Sequence, residues 1–169
     1  MDKNVYKHVV INFLHSNFSS YLLQLRDFKS SIIYPGHWGA FGGALEEGES
    51  PRIALSRELI EEIGYAPEAF NYFREFSKDE YKLKIHMFYS NTSVSLNKLC
   101  LMEGADMGWF TTDEILSKKL YSKKFNNYFP MVPLLSELFD TFFEYIAENN
   151  KASLEYNYKY DQEKKSLGS

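Results

Sequence analysis

The feature that most constrains this chain is a helix whose two ends are both marked in the sequence, at residues 51–63. Ser50 is a favoured N-cap, Pro51 suits the first helical position and Gly64 suits the position after the last turn. With about 100° of rotation per residue, the larger apolar side chains share an arc of about 160°, and we predict that this arc is buried. The arc contains Ile53, Leu55, Leu59, Ile60 and Ile63. Such a helix needs a second layer of structure to cover it.

Three glutamates, Glu58, Glu61 and Glu62, share another arc of the same helix. Like charges at this spacing repel by about 0.2–0.5 kcal/mol, and the helix dipole disfavours anions in the last turn by a further ~0.3–1 kcal/mol. A solvated acidic face is the ordinary interpretation of such a pattern, but these costs favour a bound cation. Oxygen ligands without a nearby His or Cys indicate Mg²⁺ or Mn²⁺ rather than Zn²⁺. Upstream, Gly42 and Gly43 allow a close backbone approach and are able to offer a carbonyl to the same ion.

Short segments rich in β-branched and aromatic residues predict strands on both sides of this helix. They are residues 6–14, 21–24, 72–76 and 81–89. In the last of these, Leu83, Ile85 and Met87 alternate with charged or polar residues, which predicts a half-buried strand. The order of the elements favours a mixed α/β fold in which helices cover a sheet.

A second amphipathic helix is predicted after Pro133. Its apolar residues recur at helical spacing from Leu135 to Ile146, and we expect this stripe to pack on the sheet. From Asn149 onward the periodicity disappears and the charges are of mixed sign. We therefore predict one domain over residues 1–148, followed by a polar C-terminal tail over residues 149–169.

Composition narrows the range of partners and of compartments. A net charge of −4 and a pI near 5.6 argue against binding of duplex nucleic acid, which requires phosphate neutralisation. No apolar run approaches the roughly 18 residues that span a bilayer, and the N-terminus lacks a signal-peptide pattern, so we expect no membrane association. The single cysteine, Cys100, excludes an intramolecular disulfide and a cysteine-cluster zinc site. These features together predict a cytoplasmic protein.

Gly43 is followed after five residues by Glu49, and after seven more by the sequence Arg57-Glu58-Leu59, then by Glu61-Glu62 and Gly64. This run of residues 43–65 resembles the signature box of the Nudix hydrolase superfamily, whose members include MutT-like proteins. The one departure is Tyr65, where the family usually has an aliphatic residue. The resemblance implies an α/β/α sandwich with a catalytic loop–helix–loop. It also implies hydrolysis of a nucleoside diphosphate linked to another group, by attack of water on phosphorus.

The resemblance further implies roles for individual residues. Catalysis and metal binding are implied for Glu58, Glu61, Glu62 and the carbonyl of Gly43. Arg57 is implied to pair with Glu49 and so to orient the loop and the helix, which Gly64 ends. One more acidic residue, a metal ligand or a base, is implied in the loop before a strand that contains a Trp. Glu103 is the first choice and Asp106 the second. The alternative for each residue is a place in an ordinary polar loop.

Substrate contacts are the least specific of these assignments. Arg26 lies where relatives commonly place a phosphate-binding cation, and an exposed arginine at a strand end is the equal alternative. Tyr81 lies 16 residues beyond Tyr65. This offset resembles the dinucleoside polyphosphate branch of the family, in which such a tyrosine stacks on adenine. Trp38 and Phe41 precede the box and are candidates for a base pocket, although burial in the core is the interpretation we favour for both.

Three functions are compatible with these patterns. The leading one is a Mg²⁺-dependent pyrophosphohydrolase of a nucleoside triphosphate, a nucleotide sugar or a dinucleoside polyphosphate, with a small nucleotide as its partner and a homodimer as an allowed assembly. A non-hydrolytic nucleotide sensor or regulator with the same fold is the alternative, and the intact box disfavours it. An isopentenyl diphosphate isomerase is disfavoured because it needs a cysteine just upstream of the box, whereas Cys100 lies far downstream.

Overall fold

We describe the fold from a computed structural model of the chain, which describes residues 5–167 and the side chains of residues 5–150. The chain divides into two compact units, Met1–Val132 and Pro133–Ser169. The first unit contains eight strands and two α-helices among its described residues. These are β1 (Lys7–Ser16), β2 (Ser20–Leu25), β3 (Trp38–Gly39), α1 (Pro51–Ile63), β4 (Asn71–Lys78), β5 (Leu83–Asn91), β6 (Asp106–Thr111), α2 (Thr112–Leu116), β7 (Lys119–Ser122) and β8 (Asn127–Pro130).

The first six strands form one mixed sheet in the order β3-β2-β1-β5-β4, with β6 paired to β2. Strands β1 and β2 pair only at their shared turn, where His15 lies opposite Tyr21, and then diverge. The segment after β3 enters the space between them, because Asn12 bridges to Phe41 and Val9 bridges to Ala44. This splayed region brings the loop that precedes α1 into the middle of the sheet. Strands β7 and β8 form a separate hairpin.

Helix α1 has the predicted ends, but its buried face differs from the predicted arc. The Ser50 side chain accepts a hydrogen bond from the Ile53 N–H, and Gly64 adopts a left-handed φ of 65°. Ile53 and Ile60, expected to be buried, are 60% and 49% exposed. The residues buried on α1 are Ala54, Leu55, Leu59, Glu62 and Ile63. The helix is therefore rotated so that a glutamate, rather than two isoleucines, faces the interior.

Strand β5 is more deeply buried than its alternating sequence indicated. It lies between β1, which is parallel to it, and β4, which is antiparallel. The four consecutive residues from Ile85 to Phe88 are all buried, although side chains of alternate residues point to opposite faces of the sheet. A central strand is covered on both faces, so the prediction of a half-buried strand was wrong here.

The second unit contains helix α3, Pro133–Leu167. The helix begins at the predicted residue but continues through most of the segment that the sequence pattern assigned to a polar tail. This segment is rich in residues with high helix propensity, such as Lys, Glu, Gln and Leu, so helix can propagate without an apolar stripe. The domain boundary at residue 148 and the packing of the apolar stripe on the sheet stay predictions. Within the described part of the chain, no helix has the length and apolar character needed to cross a membrane.

His15, near the end of β1, gives the fold a specific dependence on pH. Its ring is 2% exposed and stacks on Phe18 at a centroid distance of 3.9 Å, and burial lowers its pKa to about 4. In the unfolded chain the His15 ring has its ordinary pKa near 6.5. The stability that neutral His15 contributes is therefore fully present above about pH 6.5 and is lost as the pH falls toward 4. We expect protonation of His15 to lower the free energy of unfolding by up to about 3 kcal/mol as the pH falls across this window.

Urea denaturation at about pH 7.5 and about pH 4.5 measures this effect. The wild-type protein should lose more stability between the two conditions than His15→Gln, which has no titrating ring. His37→Gln, on the loop before β3, is the matched control and should follow the wild type. Equal losses in the wild type and in His15→Gln would contradict the assignment.

Candidate active site

The candidate site is built on two glycines that lie where β1 and β2 diverge. Gly42 has a φ of 133°, and a Cβ there would collide with the backbone carbonyl of Val10. A Cβ on Gly43 would collide with the carboxylate of Glu58. Only residues without a side chain can therefore occupy these positions, since backbone and carboxylate approach them directly.

Arg57 ties the loop before α1 to the helix. Its Nε and Nη2 donate to the two carboxylate oxygens of Glu49 at 2.8 and 2.9 Å, and Nη2 also donates to the Ala44 carbonyl at 3.0 Å. Its Nη1 donates to Glu58 Oε1 at 2.9 Å. The Arg57 guanidinium, together with the backbone N–H of Glu46, lowers the pKa of the Glu49 carboxyl to about 2. Through these contacts Arg57 joins the loop to the helix and also holds the carboxylate of Glu58.

Glu62 is the buried carboxylate of the site, with 4% of the residue exposed. Its Oε1 accepts a hydrogen bond from Gln24 Nε2 at 2.6 Å, and its Oε2 accepts one from the Gly42 N–H at 2.9 Å. Burial raises the pKa of the Glu62 carboxyl to about 8, and the charges of Glu58 and Glu103 act in the same direction, although the two hydrogen bonds oppose the shift. Negative charge at this position is thus incompletely compensated by the protein.

A cavity of about 290 Å³ is lined by five of the candidate site residues. They are Gly43, Glu58, Glu62, Glu103 and Arg26. The remaining lining residues are Gln24, Asp27, Lys29, Ile32, Gly42, Ala44 and Gly104. The sequence pattern indicated no role for Gln24, Asp27 or Lys29, although a glutamine inside the apolar strand β2 is itself a signal of a buried polar contact. Carboxylates and cations therefore face one small volume.

Other residues from the sequence-based assignment lie elsewhere. The Glu61 side chain is 57% exposed and contacts Arg57 at 3.2 Å, outside the described lining of the cavity. Both carboxylate oxygens of Asp106 accept hydrogen bonds from the protein, one from Ser122 and one from the Met107 N–H. Tyr81 is 69% exposed on a turn and is also outside the described lining.

The two aromatic residues that precede the box belong to the core. Trp38 and Phe41 are completely buried, so a place in an open base pocket is incompatible with the structure. The Trp38 indole N–H donates to the Leu120 carbonyl at 3.0 Å, and its ring meets Phe110 edge-on. Tyr65, the departure from the box, exchanges a hydrogen bond with Thr92 at 2.8 Å. This contact satisfies the one polar group that an aliphatic residue would lack.

The donor set at the cavity suits a hard divalent cation. Within residues 5–150 no three carboxylate, histidine or cysteine groups already converge as a metal site. Glu58 is bonded to Arg57, and Glu62 is bonded to Gln24 and Gly42. All acidic groups at the cavity are nevertheless oxygen ligands. A buried carboxyl whose pKa is raised, beside two further carboxylates, is an environment that a dication would stabilise.

Comparison with known protein families decides the assignment. The NUDIX domain family matches residues 6–133. This chain belongs to the Nudix family. It is a Nudix hydrolase, an enzyme that acts on pyrophosphate bonds, and the family is typically metal-dependent.

Individual relatives of this Nudix hydrolase are distant. The nucleoside triphosphatase NudI of Enterobacter sp. (strain 638) is 28% identical over 99 residues, which cover 49% of this chain and 67% of that protein. The MutT protein from Methanosarcina mazei Go1 has a TM-score of 0.64 at 19% identity, covering 85% of this chain and 97% of its own. The E. coli ORF135 protein has a TM-score of 0.64 at 24% identity, with 88% and 96% covered. These two structures confirm the mixed α/β Nudix fold.

Arg57 offers a direct test of the loop–helix connection. We expect Arg57→Lys to lower kcat by about 10- to 100-fold, as is typical when a residue that orients the groups of a site is lost. A lysine cannot bond Glu49 through two nitrogens and also reach Ala44 and Glu58. Steady-state kinetics should be compared with Arg52→Lys, an exposed position on the same helix. Similar activity in both variants would show that the geometry of the Arg57 fork is unimportant.

Proposed function

We propose that this Nudix hydrolase cleaves a nucleoside triphosphate between phosphates in a Mg²⁺-dependent reaction, with Mn²⁺ as a substitute ion. The observation that carries the proposal is the cavity in which Glu58, Glu62 and Glu103 face Arg26 and Lys29. Carboxylates are the groups that hold a dication, and the two cations are the groups that bind phosphate oxygens. The name of the relative NudI, a nucleoside triphosphatase, supports this substrate class over nucleotide sugars and dinucleoside polyphosphates, which remain in the test below.

The ion would be held by the carboxylates of Glu58, Glu62 and Glu103 and by the carbonyl of Gly43, with Glu61 at the margin. The Gly43 carbonyl accepts one hydrogen bond, from the Val10 N–H at 2.8 Å, and a carbonyl oxygen has a second lone pair. When bound, such an ion neutralises charge on phosphate oxygens and lowers the pKa of a bound water.

The protein's own residues orient the reacting groups. Gln24 and the Gly42 N–H hold the two oxygens of Glu62, so that its remaining lone pairs are fixed in direction. Arg57 does the same for one oxygen of Glu58. Arg26 donates its Nε hydrogen to the Ile33 carbonyl at 2.9 Å, which anchors its guanidinium at the cavity. Pre-positioned groups of this kind avoid the entropic cost of ordering during the reaction.

A nucleotide sensor without hydrolytic activity is the second candidate. It is favoured by one observation, which is that Glu58 is bonded to Arg57 and the site carboxylates do not already converge. In a sensor this arrangement would persist with the ligand bound. In a hydrolase it would rearrange when the ion enters.

Mass spectrometry of reaction products separates these functions. Purified protein with Mg²⁺ is incubated with nucleoside triphosphates, nucleotide sugars, ADP-ribose and diadenosine polyphosphates, beside the variant Glu62→Gln. Cleavage of triphosphates by the wild type alone supports the proposal, and cleavage of another class alone reassigns the substrate. A nucleotide that raises the melting temperature and stays intact with both Mg²⁺ and Mn²⁺ supports the sensor.

A further inference from the structure

Three phenylalanines, Phe28, Phe125 and Phe129, form an exposed cluster that we call the phenylalanine triad. The centroid of the Phe28 ring lies 5.3 Å from that of Phe125 and 5.5 Å from that of Phe129, and the latter two are 5.9 Å apart. Phe28 is 52% exposed, Phe125 is 40% exposed and Phe129 is half-buried. Apolar rings grouped on a surface in this way are typical of a binding site.

The triad adjoins the active-site cavity through two separate segments of chain. Phe28 stands between Asp27 and Lys29, and both of these residues line the cavity. On the β7–β8 hairpin, the Lys124 ammonium lies 5.5 Å from the centre of the Phe125 ring. The same ammonium donates to the Ala105 carbonyl at 2.6 Å, directly after the lining residue Gly104. The triad therefore lies at the rim of the cavity.

The cavity itself has no surface for a nucleobase. None of its described lining residues is aromatic, and most are charged or polar. Its volume of about 290 Å³ lies at the lower limit of the usual range for ligand pockets, about 300–1,000 Å³. It suits phosphates and a metal ion, so the rest of a nucleotide must lie on an adjoining surface.

We propose that the phenylalanine triad binds the nucleobase of the nucleotide whose phosphates occupy the cavity. This inference rests on the proposed function. A base presents flat aromatic faces, and stacking on aromatic side chains tolerates any base because every base has such a face. The phenylalanine rings offer no hydrogen-bond donor or acceptor, so the triad selects for an aromatic ring and gains more from a large purine than from a pyrimidine. Lys124, whose ammonium lies beside the Phe125 ring, and Lys29, which lines the cavity and pairs with Asp27, match the negative charge of the attached phosphates.

A second surface also adjoins the site and is the competing location for the base. A cavity of about 640 Å³ shares Ala44 with the active-site cavity and is lined by Tyr6, His8 and His86. It is also lined by three glutamates of the loop before α1, Glu46, Glu47 and Glu49. Glu49 is paired with Arg57, and Lys7 also lines this cavity, but Glu46 and Glu47 leave its charge negative. That charge opposes the approach of a polyphosphate from this side, and we therefore favour the triad.

Binding of a product, rather than turnover, provides the test. Isothermal titration with Mg²⁺ compares adenosine 5′-monophosphate with ribose 5-phosphate, which lacks the base. The wild type should bind the nucleotide at least about 5-fold more tightly, in line with the usual strength of base stacking. Phe28→Ala and Phe125→Ala should lose this preference, and Phe125→Trp should keep it. Tyr128→Ala is the matched control, since Tyr128 is 63% exposed on the same hairpin and its ring pairs with Tyr121 instead of the triad.

Each outcome supports or overturns the inference. Equal affinity of the wild type for the two compounds, or binding of neither, overturns it. Loss of the preference in His8→Ala, with the preference kept in the phenylalanine variants, places the base in the second cavity. A dimer that becomes a monomer in Phe28→Ala and Phe125→Ala, with an unchanged preference, shows that a second copy covers the triad.

The same measurements separate this inference from the proposed function. A wild-type protein that hydrolyses none of the nucleotides, but whose preference for the base depends on the triad, leaves the inference standing and removes the hydrolytic assignment. Hydrolysis of triphosphates by the wild type, with an unchanged KM in Phe28→Ala and Phe125→Ala, supports the proposed function and overturns the inference.

Discussion

Replacing Glu62 by glutamine is expected to lower kcat by more than about 10²-fold, a larger loss than the ~10- to 100-fold that is typical for a residue that only orients a metal ligand. The amide has nearly the same shape as the carboxylate but no negative charge, so it cannot neutralise a dication. The fold should persist, because burial already disfavours the charged form of this residue. Steady-state kinetics with Mg²⁺ measure the loss, and urea denaturation checks that the variant is folded.

Two other glutamate-to-glutamine variants serve as comparisons for the loss of kcat in Glu62→Gln. Glu68→Gln removes an exposed carboxylate outside the described cavity lining and should leave kcat unchanged. Glu61→Gln should lose less activity than Glu62→Gln, because the Glu61 carboxylate is exposed and contacts Arg57. A loss in Glu61→Gln equal to that in Glu62→Gln would show that Glu61 enters the site when the ion binds. Full activity in Glu62→Gln would remove the metal assignment.

Replacing Gly42 by alanine is expected to destabilise the protein by about 3–5 kcal/mol, more than the ~0.5–3 kcal/mol that is usual for a single substitution. An alanine at a φ of 133° is strained, and its Cβ would also meet the backbone of Val10 in β1. Backbone in the middle of a sheet cannot move aside, so the loop must shift and carry the Gly42 N–H away from Glu62. The midpoint of urea denaturation should fall sharply, and activity should fall with it.

Gly48→Ala separates the two causes of this effect. Gly48 also has a positive φ, of 81°, but a Cβ there would meet no atom within 4 Å. The substitution should therefore cost only backbone strain, about 1 kcal/mol. If both variants lost the same stability, steric contact with β1 would be unimportant, and the tight approach of the loop to the sheet would be refuted.

Local signals predicted α1 accurately. N-capping by Ser50 and the left-handed Gly64 involve only neighbouring residues, so the helix ends follow from the sequence. The spacing of the acidic residues likewise selected Glu58, Glu61 and Glu62, and the first and last of these line the cavity. The pair of Arg57 with Glu49 was implied only by the family resemblance. Glu103 was selected only through a family resemblance, and the structure places it at the same cavity.

The face that α1 buries was decided by tertiary contacts. The apolar arc predicted burial of Ile53 and Ile60, whereas the structure buries Glu62, because Gln24 and Gly42 donate hydrogen bonds to it. These donors lie 38 and 20 residues away along the chain. No periodicity within a helix reports a partner at such a distance, so the pattern assigned the wrong rotation.

Spacing in the sequence determined the ends of α1 and selected its candidate site residues, since a helix repeats every few residues and its caps are local. The surroundings of those residues were decided by the tertiary structure. Gly42 and Gly43 can approach Val10 and Glu58 only because β1 and β2 diverge. Phe28 reaches Phe125 only because the β7–β8 hairpin folds back beside the loop after β2. Burial, pKa and the neighbours of a substrate depend on contacts between distant segments, and those contacts form only when the sheet assembles.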